Sequence, residues 1–164
     1  MSHIVAGARA RVTDPEAVLR ATRSWASEHG SEVCLADARI VFGRDHLESA
    51  ALHAERARDS NTMATRSLAM ETLLYAAGER QVTEAIRVAG LRPDTQAVGI
   101  VLFGRASVDD LLQEMGWSRE DELLSEEGKS LEAFGISRLQ AASLSKERSL
   151  DLVLEKVALV DLEK

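Results

Sequence analysis

The sequence predicts an α+β (mixed α/β) fold in one compact domain, with a small sheet of three or four strands packed against several helices. Two apolar runs of strand length support this class: residues 32–42, EVCLADARIVF, and residues 97–103, AVGIVLF. Between and around them, apolar residues recur every three or four positions, which is the spacing of helices that bury one side. Because no linker longer than a turn is visible, residues 1–164 form a single predicted domain.

The N-terminal third alternates between strand and helix signals. Residues 3–12 alternate loosely and predict a first strand. Asp14 followed by Pro15 is typical of a helix start, and the apolar stripe after it continues to Gly30. The next apolar run, residues 32–42, then predicts the second strand.

The middle of the chain predicts three helices. Asp45 is the expected cap of the first, whose inner side carries Leu47 and a stripe of alanines that permits close packing. The polar break DSNT at residues 59–62 separates it from a helix predicted from Met63 to Gly78. A third, short helix is predicted over residues 82–89 and is followed by Gly90 and Pro93.

After the strand at residues 97–103, the C-terminal third is mostly helical. Ser107 is the expected cap of a helix over residues 108–115, and Ser118 of a short acidic helix near residues 119–124. Residues 150–160 satisfy both the helical and the strand spacing. Helix is favoured there, with a short strand over residues 158–162 as an addition.

The net charge of −7 is concentrated in one region. Residues 109–164 carry 14 acidic and 7 basic side chains, whereas acids and bases balance in the rest of the chain. No global positive field is therefore available to attract nucleic acid, although a local arginine patch remains compatible with this distribution.

Cysteine usage and hydropathy indicate an ordinary soluble protein of the cytoplasm. The single cysteine, Cys34, excludes an internal disulfide and lies in an apolar run where a buried side chain is expected. No stretch has the roughly 18 to 20 uninterrupted apolar residues of a membrane span, and the N-terminus lacks a secretory signal pattern.

Glu71 is the least expected residue of the middle region, because it shares a helix side with the apolar residues Leu68 and Tyr75. A carboxylate in such a place needs a partner to offset its desolvation. A structural ion pair with Arg80, or with Arg66, is the predicted solution. The alternative is a partner surface in which the carboxylate lies beside exposed apolar side chains.

No catalytic constellation is visible in the sequence. His46 and His53 are seven residues apart on one predicted helix, but helical metal ligands usually lie three or four apart and no third ligand is evident. Nucleophile and phosphate-binding glycine motifs are also missing. The sequence favours a binding module with no cofactor and no metal.

Residues 41–91, VFGRDHLESAALHAERARDSNTMATRSLAMETLLYAAGERQVTEAIRVAGL, followed by AVGIVLFG, carry a family resemblance. The chain closely resembles the kinase-binding regulatory subunit of the KEOPS complex, the PRPK-binding protein family, in its archaeal type. The most specific positions form the pattern SLxxExLLYxxGxRQ and the short helix after it: Ser67, Leu68, Glu71, Leu74, Tyr75, Gly78, Arg80, Gln81, Ala85, Ile86 and Gly90.

This resemblance implies a non-catalytic adaptor. Members of the family bind the N-terminal lobe of an atypical kinase and ATPase, which in turn contacts the enzyme that makes threonylcarbamoyladenosine next to the tRNA anticodon. The family also implies binding of the tRNA 3′ CCA end. The expected partners are therefore the kinase subunit, the KEOPS complex and tRNA, and no membrane.

Two sets of residues are the candidates for these surfaces. Guanidinium groups suit phosphates and unpaired bases, so the expected tRNA-binding residues lie around the DSNT break and the next corner: Arg56, Arg58, Arg66, Arg80, Gln81 and His53. The acidic last third is expected to face away from RNA. Apolar side chains are the candidates for the kinase: Leu152, Leu154 and Val157, with Met70 and Leu74 as the second choice.

Two alternatives from other classes stay open on the sequence. One is a small cytoplasmic enzyme that uses His46 and His53 with Glu48 or Glu71 around an unrecognised cofactor. The other is a homodimeric structural module, which predicts weak self-association of the isolated chain.

Overall fold

A computed structural model describes residues 2–136 and 146–163 of the chain. The strands are β1 (His3–Arg9), β2 (Ser31–Asp37), β3 (Ala97–Gly104) and β4 (Ser118–Arg119). The α-helices of the described residues are α1 (Pro15–Glu28), α2 (Arg44–Asp59), α3 (Leu68–Ala77), α4 (Val82–Ala89), α5 (Val108–Met115) and α6 (Lys146–Glu163). The α+β fold with a small sheet is therefore confirmed.

The sheet is antiparallel throughout, with the strand order β2-β3-β1-β4. β3 lies at its centre beside β1, where His3 pairs with Phe103 and Arg9 pairs with Ala97. The apolar run that predicted a buried central strand thus occupies that position, and residues 98–103 are buried.

The two faces of the sheet pack against different helices, because side chains alternate along each strand. One face, with Val5, Val101 and Phe103, packs against residues of α2, α3, α4 and α6. The opposite face, with Ile100 and Leu102, packs against residues of α1 and α5. The sheet therefore lies between two helical layers.

Local start and stop signals were accurate for α1 and α5. The Asp14 carboxylate accepts the N–H of Ala17, and Pro15 is the first residue of α1. Ser107 caps α5 as expected. Cys34 is buried, which agrees with its prediction, and burial raises the pKa of its thiol to about 12.

Several predicted boundaries are wrong. The second strand ends at Asp37 and not at residue 42, because the Asp37 carboxylate accepts the N–H of Arg39 and turns the chain into a 3₁₀ turn over Ala38–Ile40. α2 begins at Arg44 after Gly43, whose φ of 97° favours glycine, so Asp45 is not its cap.

The start of α3 is also corrected. This helix begins at Leu68 and not at Met63, because the Ser67 hydroxyl accepts the N–H of Met70 and caps it there. Its end at Gly78 is confirmed, with a left-handed φ of 67°.

Two C-terminal expectations are wrong in opposite directions. Ser118 does not cap a helix, because Ser118–Arg119 pairs with β1 as a short edge strand before the 3₁₀ turn Asp121–Leu124. The short strand expected over residues 158–162 is wrong as well, since α6 runs through them. Val153, Val157 and Val160 give α6 a helical stripe that is fully buried.

Candidate functional site

The candidate site is built on the antiparallel pair α2 and α3. Near one end of the pair, His46 of α2 donates its Nε2–H to the carbonyl oxygen of Ala76 at 2.8 Å. Further along, the ring of His53 stacks on the ring of Tyr75 with centroids 5.2 Å apart. The α2 residues that face this side include Ala50, Ala51, Ala54 and Ala57, all buried, and such small side chains let two helices approach closely.

Glu71 lies inside this pair and has no exposed surface. Its carboxylate accepts the N–H of Ala64 at 3.1 Å, the N–H of Thr65 at 2.9 Å and the hydroxyl of Thr65 at 2.8 Å. Charge-assisted hydrogen bonds of this kind stabilise a buried carboxylate. Glu71 therefore anchors the loop that connects α2 to α3, and its ion pair with Arg80 stays a prediction.

The α2–α3 loop carries one group of the predicted tRNA-binding arginines. The N–H of Thr62 donates to the carbonyl oxygen of Ala57 at 2.8 Å, which folds the loop back onto the end of α2. Arg56 and Arg66 are exposed beside it. Arg58 is partly exposed, and its guanidinium binds the Asp59 carboxylate at 2.9 Å.

The structure does not bring Arg80 and Gln81 to this loop. Both are exposed, but they follow the C-terminus of α3, while the loop precedes its N-terminus. The ten residues of α3 span about 15 Å at the usual helical rise. The predicted tRNA-binding residues therefore form two groups: Arg56, Arg58 and Arg66 lie near the N-terminus of α3, and Arg80 and Gln81 follow its C-terminus.

Helix α6 covers the middle of the pair through Asp161. One carboxylate oxygen accepts the hydroxyl proton of Tyr75, and the other accepts the Nδ1–H of His53 at 2.6 Å. Burial, followed by the bond to Asp161, raises the pKa of Tyr75. An acidic residue thus contacts His53, so the acidic region does not lie wholly away from the predicted tRNA-binding residues.

A family model described as Kinase binding protein CGI-121 matches residues 11–161, which include α1 to α5 and most of α6. The chain belongs to the CGI-121 family of kinase-binding proteins. No curated protein matches it. The resemblance found in residues 41–91 is therefore confirmed by a match over most of the chain.

A CGI-121 protein needs an exposed surface to bind a kinase. Of the apolar residues predicted to form this surface, some are buried and others are partly exposed. Leu74 and Val157 have no exposed surface, because they pack into the core between α3, α6 and the sheet. They cannot contact a partner directly in this fold. Met70, Leu152 and Leu154 keep part of their surface exposed and remain predicted contacts.

Sequence reasoning missed other apolar side chains at the surface of this CGI-121 fold. Val82 and Ile86 are 39% and 47% exposed on α4, although their spacing of four residues indicated an inner face. Leu162 at the end of α6 is 81% exposed. Only tertiary packing decides which side of such short helices is covered.

The residues of the enzyme alternative have separate partners in the CGI-121 fold. His46 is fully buried, accepts the N–H of Phe42 on Nδ1 at 3.1 Å and donates from Nε2 as described. Burial lowers its pKa to about 4, so the ring is neutral at physiological pH. Glu48 binds His3 at 2.6 Å, while Glu71 binds the α2–α3 loop.

Within residues 2–136 and 146–163, no group of three or more His, Cys, Asp or Glu side chains is arranged to hold a metal ion. No helix in that part of the chain has both the length and the apolar character needed to cross a membrane.

Proposed function

We propose that this chain is the non-catalytic regulatory subunit of a cytoplasmic KEOPS complex, where it binds the atypical kinase and ATPase subunit and holds the 3′ CCA end of tRNA. The family match over residues 11–161 carries the proposal, because its description names kinase binding. The resemblance of residues 41–91 supports the finer role in tRNA threonylcarbamoyladenosine modification.

For the kinase, the proposed contacts are Met70, Leu152 and Leu154. Met70 and Leu152 pack against the core with part of their side chains and expose the rest. Apolar residues of this kind lose further contact with water when a partner covers them, and methionine adapts easily to a partner's shape. They lie on α3 and α6, which also form the layer that holds the candidate site.

For tRNA, the proposed site is the arginine end of the α2–α3 pair, with Arg56 and Arg66 as its main contacts. A loop held by the hydrogen bonds to Glu71 presents Arg66 with little conformational freedom, and this lowers the entropic cost of binding. Planar guanidinium groups bind phosphates in a bidentate manner and stack on unpaired bases, both of which a single-stranded end offers. His53 contributes at the edge of this site.

Kinase binding is tested by pull-down with the kinase subunit from the same source, followed by size-exclusion chromatography. The expected result is a one-to-one complex that Leu152→Asp weakens. The matched control is Leu19→Asp, because Leu19 is 38% exposed on α1 in the other helical layer. Absence of a complex with the wild-type chain overturns the proposal. A chain that instead dimerises supports the structural module, and tightly bound zinc supports an enzyme.

tRNA binding is tested with tRNA that carries or lacks its CCA end. Replacing both Arg56 and Arg66 by alanine is expected to weaken binding of the complete tRNA, whereas replacing both Arg20 and Arg23, exposed on α1, leaves it unchanged. Affinity is expected to fall with salt with a slope of only a few released ions. Equal affinity for the two tRNAs contradicts a CCA-end site.

A further inference from the structure

A pocket in another part of the molecule has no role in the proposed function. It is open to solvent, has a volume of about 390 Å³ and lies where β2 ends. Its lining includes Asp37, Arg39, Arg92, Lys129 and Glu132. Asp37 is the buried carboxylate that ends β2, and Lys129 belongs to the loop after the 3₁₀ turn Asp121–Leu124.

The Lys129 side chain is held in an unusual way for a lysine. Its Nζ donates to the carbonyl oxygens of Val41 and Leu123, both at 2.7 Å. Both acceptors are neutral, and among the residues that the structure describes no carboxylate contacts this nitrogen. A neutral amine has two N–H groups and one lone pair, so it satisfies both carbonyls and keeps its lone pair for a reactant.

Burial and the nearby carboxylates shift the pKa of Lys129 in opposite directions. Burial lowers its pKa to about 8, and the carboxylates of Asp37 and Glu126 oppose this effect. Asp37 is itself neutralised by the Arg39 guanidinium at 2.7 Å and accepts the hydroxyl of Thr95. His46, another neighbour, is neutral as described above, and Arg39, Arg92 and Glu132 also line the pocket. At a pKa of about 8, roughly a tenth of Lys129 is the nucleophilic free amine at pH 7.

We propose that Lys129 is a modification site that takes small acyl groups from acyl phosphates entering this pocket. The Nζ lone pair attacks the acyl carbon, the bond from that carbon to the phosphate oxygen breaks, and phosphate leaves with the electron pair. The nitrogen releases one proton to solvent, and an amide remains. No oxidant or reductant is needed.

Arg92 explains the choice of an acyl phosphate. Its guanidinium donates through Nη2 to the carbonyl oxygen of Arg87 at 2.8 Å, and its other N–H groups have no acceptor among the described residues. Arginine recognises phosphate through paired N–H groups. Arg39 is less available, since Asp37 and Asp94 both bind it. Arg92 is therefore the residue in the pocket that can hold the phosphate while Lys129 reacts.

The test is competitive labelling of the wild-type chain with acetyl phosphate, read by peptide mass spectrometry. Lys156, exposed on α6, is the internal control. Lys129 is expected to be acetylated about tenfold faster than Lys156 at neutral pH, because the lowered pKa of Lys129 increases its share of free amine. Its rate should level off near pH 8. Equal or slower labelling of Lys129 overturns the proposal.

A second comparison tests the phosphate requirement. Arg92→Ala is expected to slow acetylation of Lys129 by acetyl phosphate several-fold while leaving its reaction with uncharged N-hydroxysuccinimidyl acetate unchanged. If both reagents are affected equally, or neither is, the assignment to acyl phosphates fails. Since labelling is measured on the isolated chain, its result is independent of kinase and tRNA binding.

Discussion

The two helical layers of this protein differ in what they bury. The layer of α1 and α5 is apolar around Trp25 and Leu111, and its one buried polar helix residue, Thr22, bonds only the sulfur of Met115 at 3.9 Å. The layer of α2, α3, α4 and α6 buries Glu71, His46 and Thr72 with full hydrogen bonding. Every buried polar side-chain atom among the described residues has a partner. The second layer therefore depends on specific polar contacts, whereas the first depends on apolar packing.

The largest expected difference between the layers concerns Glu71. Glu71→Ala removes the acceptor for the N–H groups of Ala64 and Thr65, and it should lower the free energy of unfolding by about 3 kcal/mol. Thr22→Ala in the other layer should cost less than about 1 kcal/mol, because it removes only a weak bond to sulfur. Urea denaturation of both variants measures this. Equal losses would contradict the polar character assigned to the second layer.

Acid should lower the free energy of unfolding through His46, which lies in the layer that contains α2 and α3. Its pKa is lowered to about 4 in the folded protein, against about 6.5 in the unfolded chain, so only the unfolded chain binds a proton between these values. The free energy of unfolding should therefore decrease as pH falls from about 6.5 to 4, by up to about 3 kcal/mol from this residue. Urea denaturation at several pH values across this range measures the effect. The free energy of unfolding should change less steeply with pH for His46→Gln than for the wild type. Identical slopes would show that burial of the neutral ring is not the cause.

The next largest loss of stability is expected where small side chains of α2 pack closely against neighbouring helices. Ala54 has no exposed surface between the helices, so Ala54→Leu should overpack the layer and cost about 2 kcal/mol. Ala21→Leu is the matched change on the exposed side of α1 and should have almost no effect. Thermal melting compares them, and a neutral Ala54→Leu would mean that α2 and α3 can separate without loss.

The smallest effect is expected at Asp161. Asp161→Asn removes the charge that raises the pKa of Tyr75 and leaves fewer acceptors for the Tyr75 hydroxyl and the His53 ring. We expect a loss of about 1 kcal/mol and ionisation of Tyr75 at lower pH than in the wild type. Tyr75 is the single tyrosine of the chain, so ultraviolet absorbance of tyrosinate reports on it alone. An unchanged titration would show that Asp161 adds nothing to the effect of burial on the pKa of Tyr75.

The sequence predicted those parts of the fold whose signals are local. α1 follows from Asp14 and Pro15, the end of α3 from Gly78, and the central strand from an apolar run between turn residues. Some failures come from local signals that were overlooked, such as the Ser67 cap of α3, and others depend on residues distant in sequence. β2 ends at a carboxylate that also binds Thr95, and Ser118 is a strand residue only because β1 lies beside it.

The candidate site shows the same division. Periodicity identified Glu71 as an unusual residue, but the loop whose backbone N–H groups it binds was assigned to a helix, so these hydrogen bonds were not predicted. Helix packing determines that Leu74 and Val157 are buried. It also determines that Arg80 lies apart from Arg56. The pocket at Lys129 is lined by segments some 90 residues apart, from Asp37 to Lys129, and no local sequence pattern predicts it.

The buried Cys34 has a practical consequence for studying either partner. Its thiol lies within the sheet and resists ionisation, so maleimide dyes should leave the native protein unmodified. A cysteine introduced at an exposed position, such as Arg20 on α1, would then be the sole reactive thiol. Fluorophores and spin probes can thus be attached at one chosen point without first removing the natural cysteine.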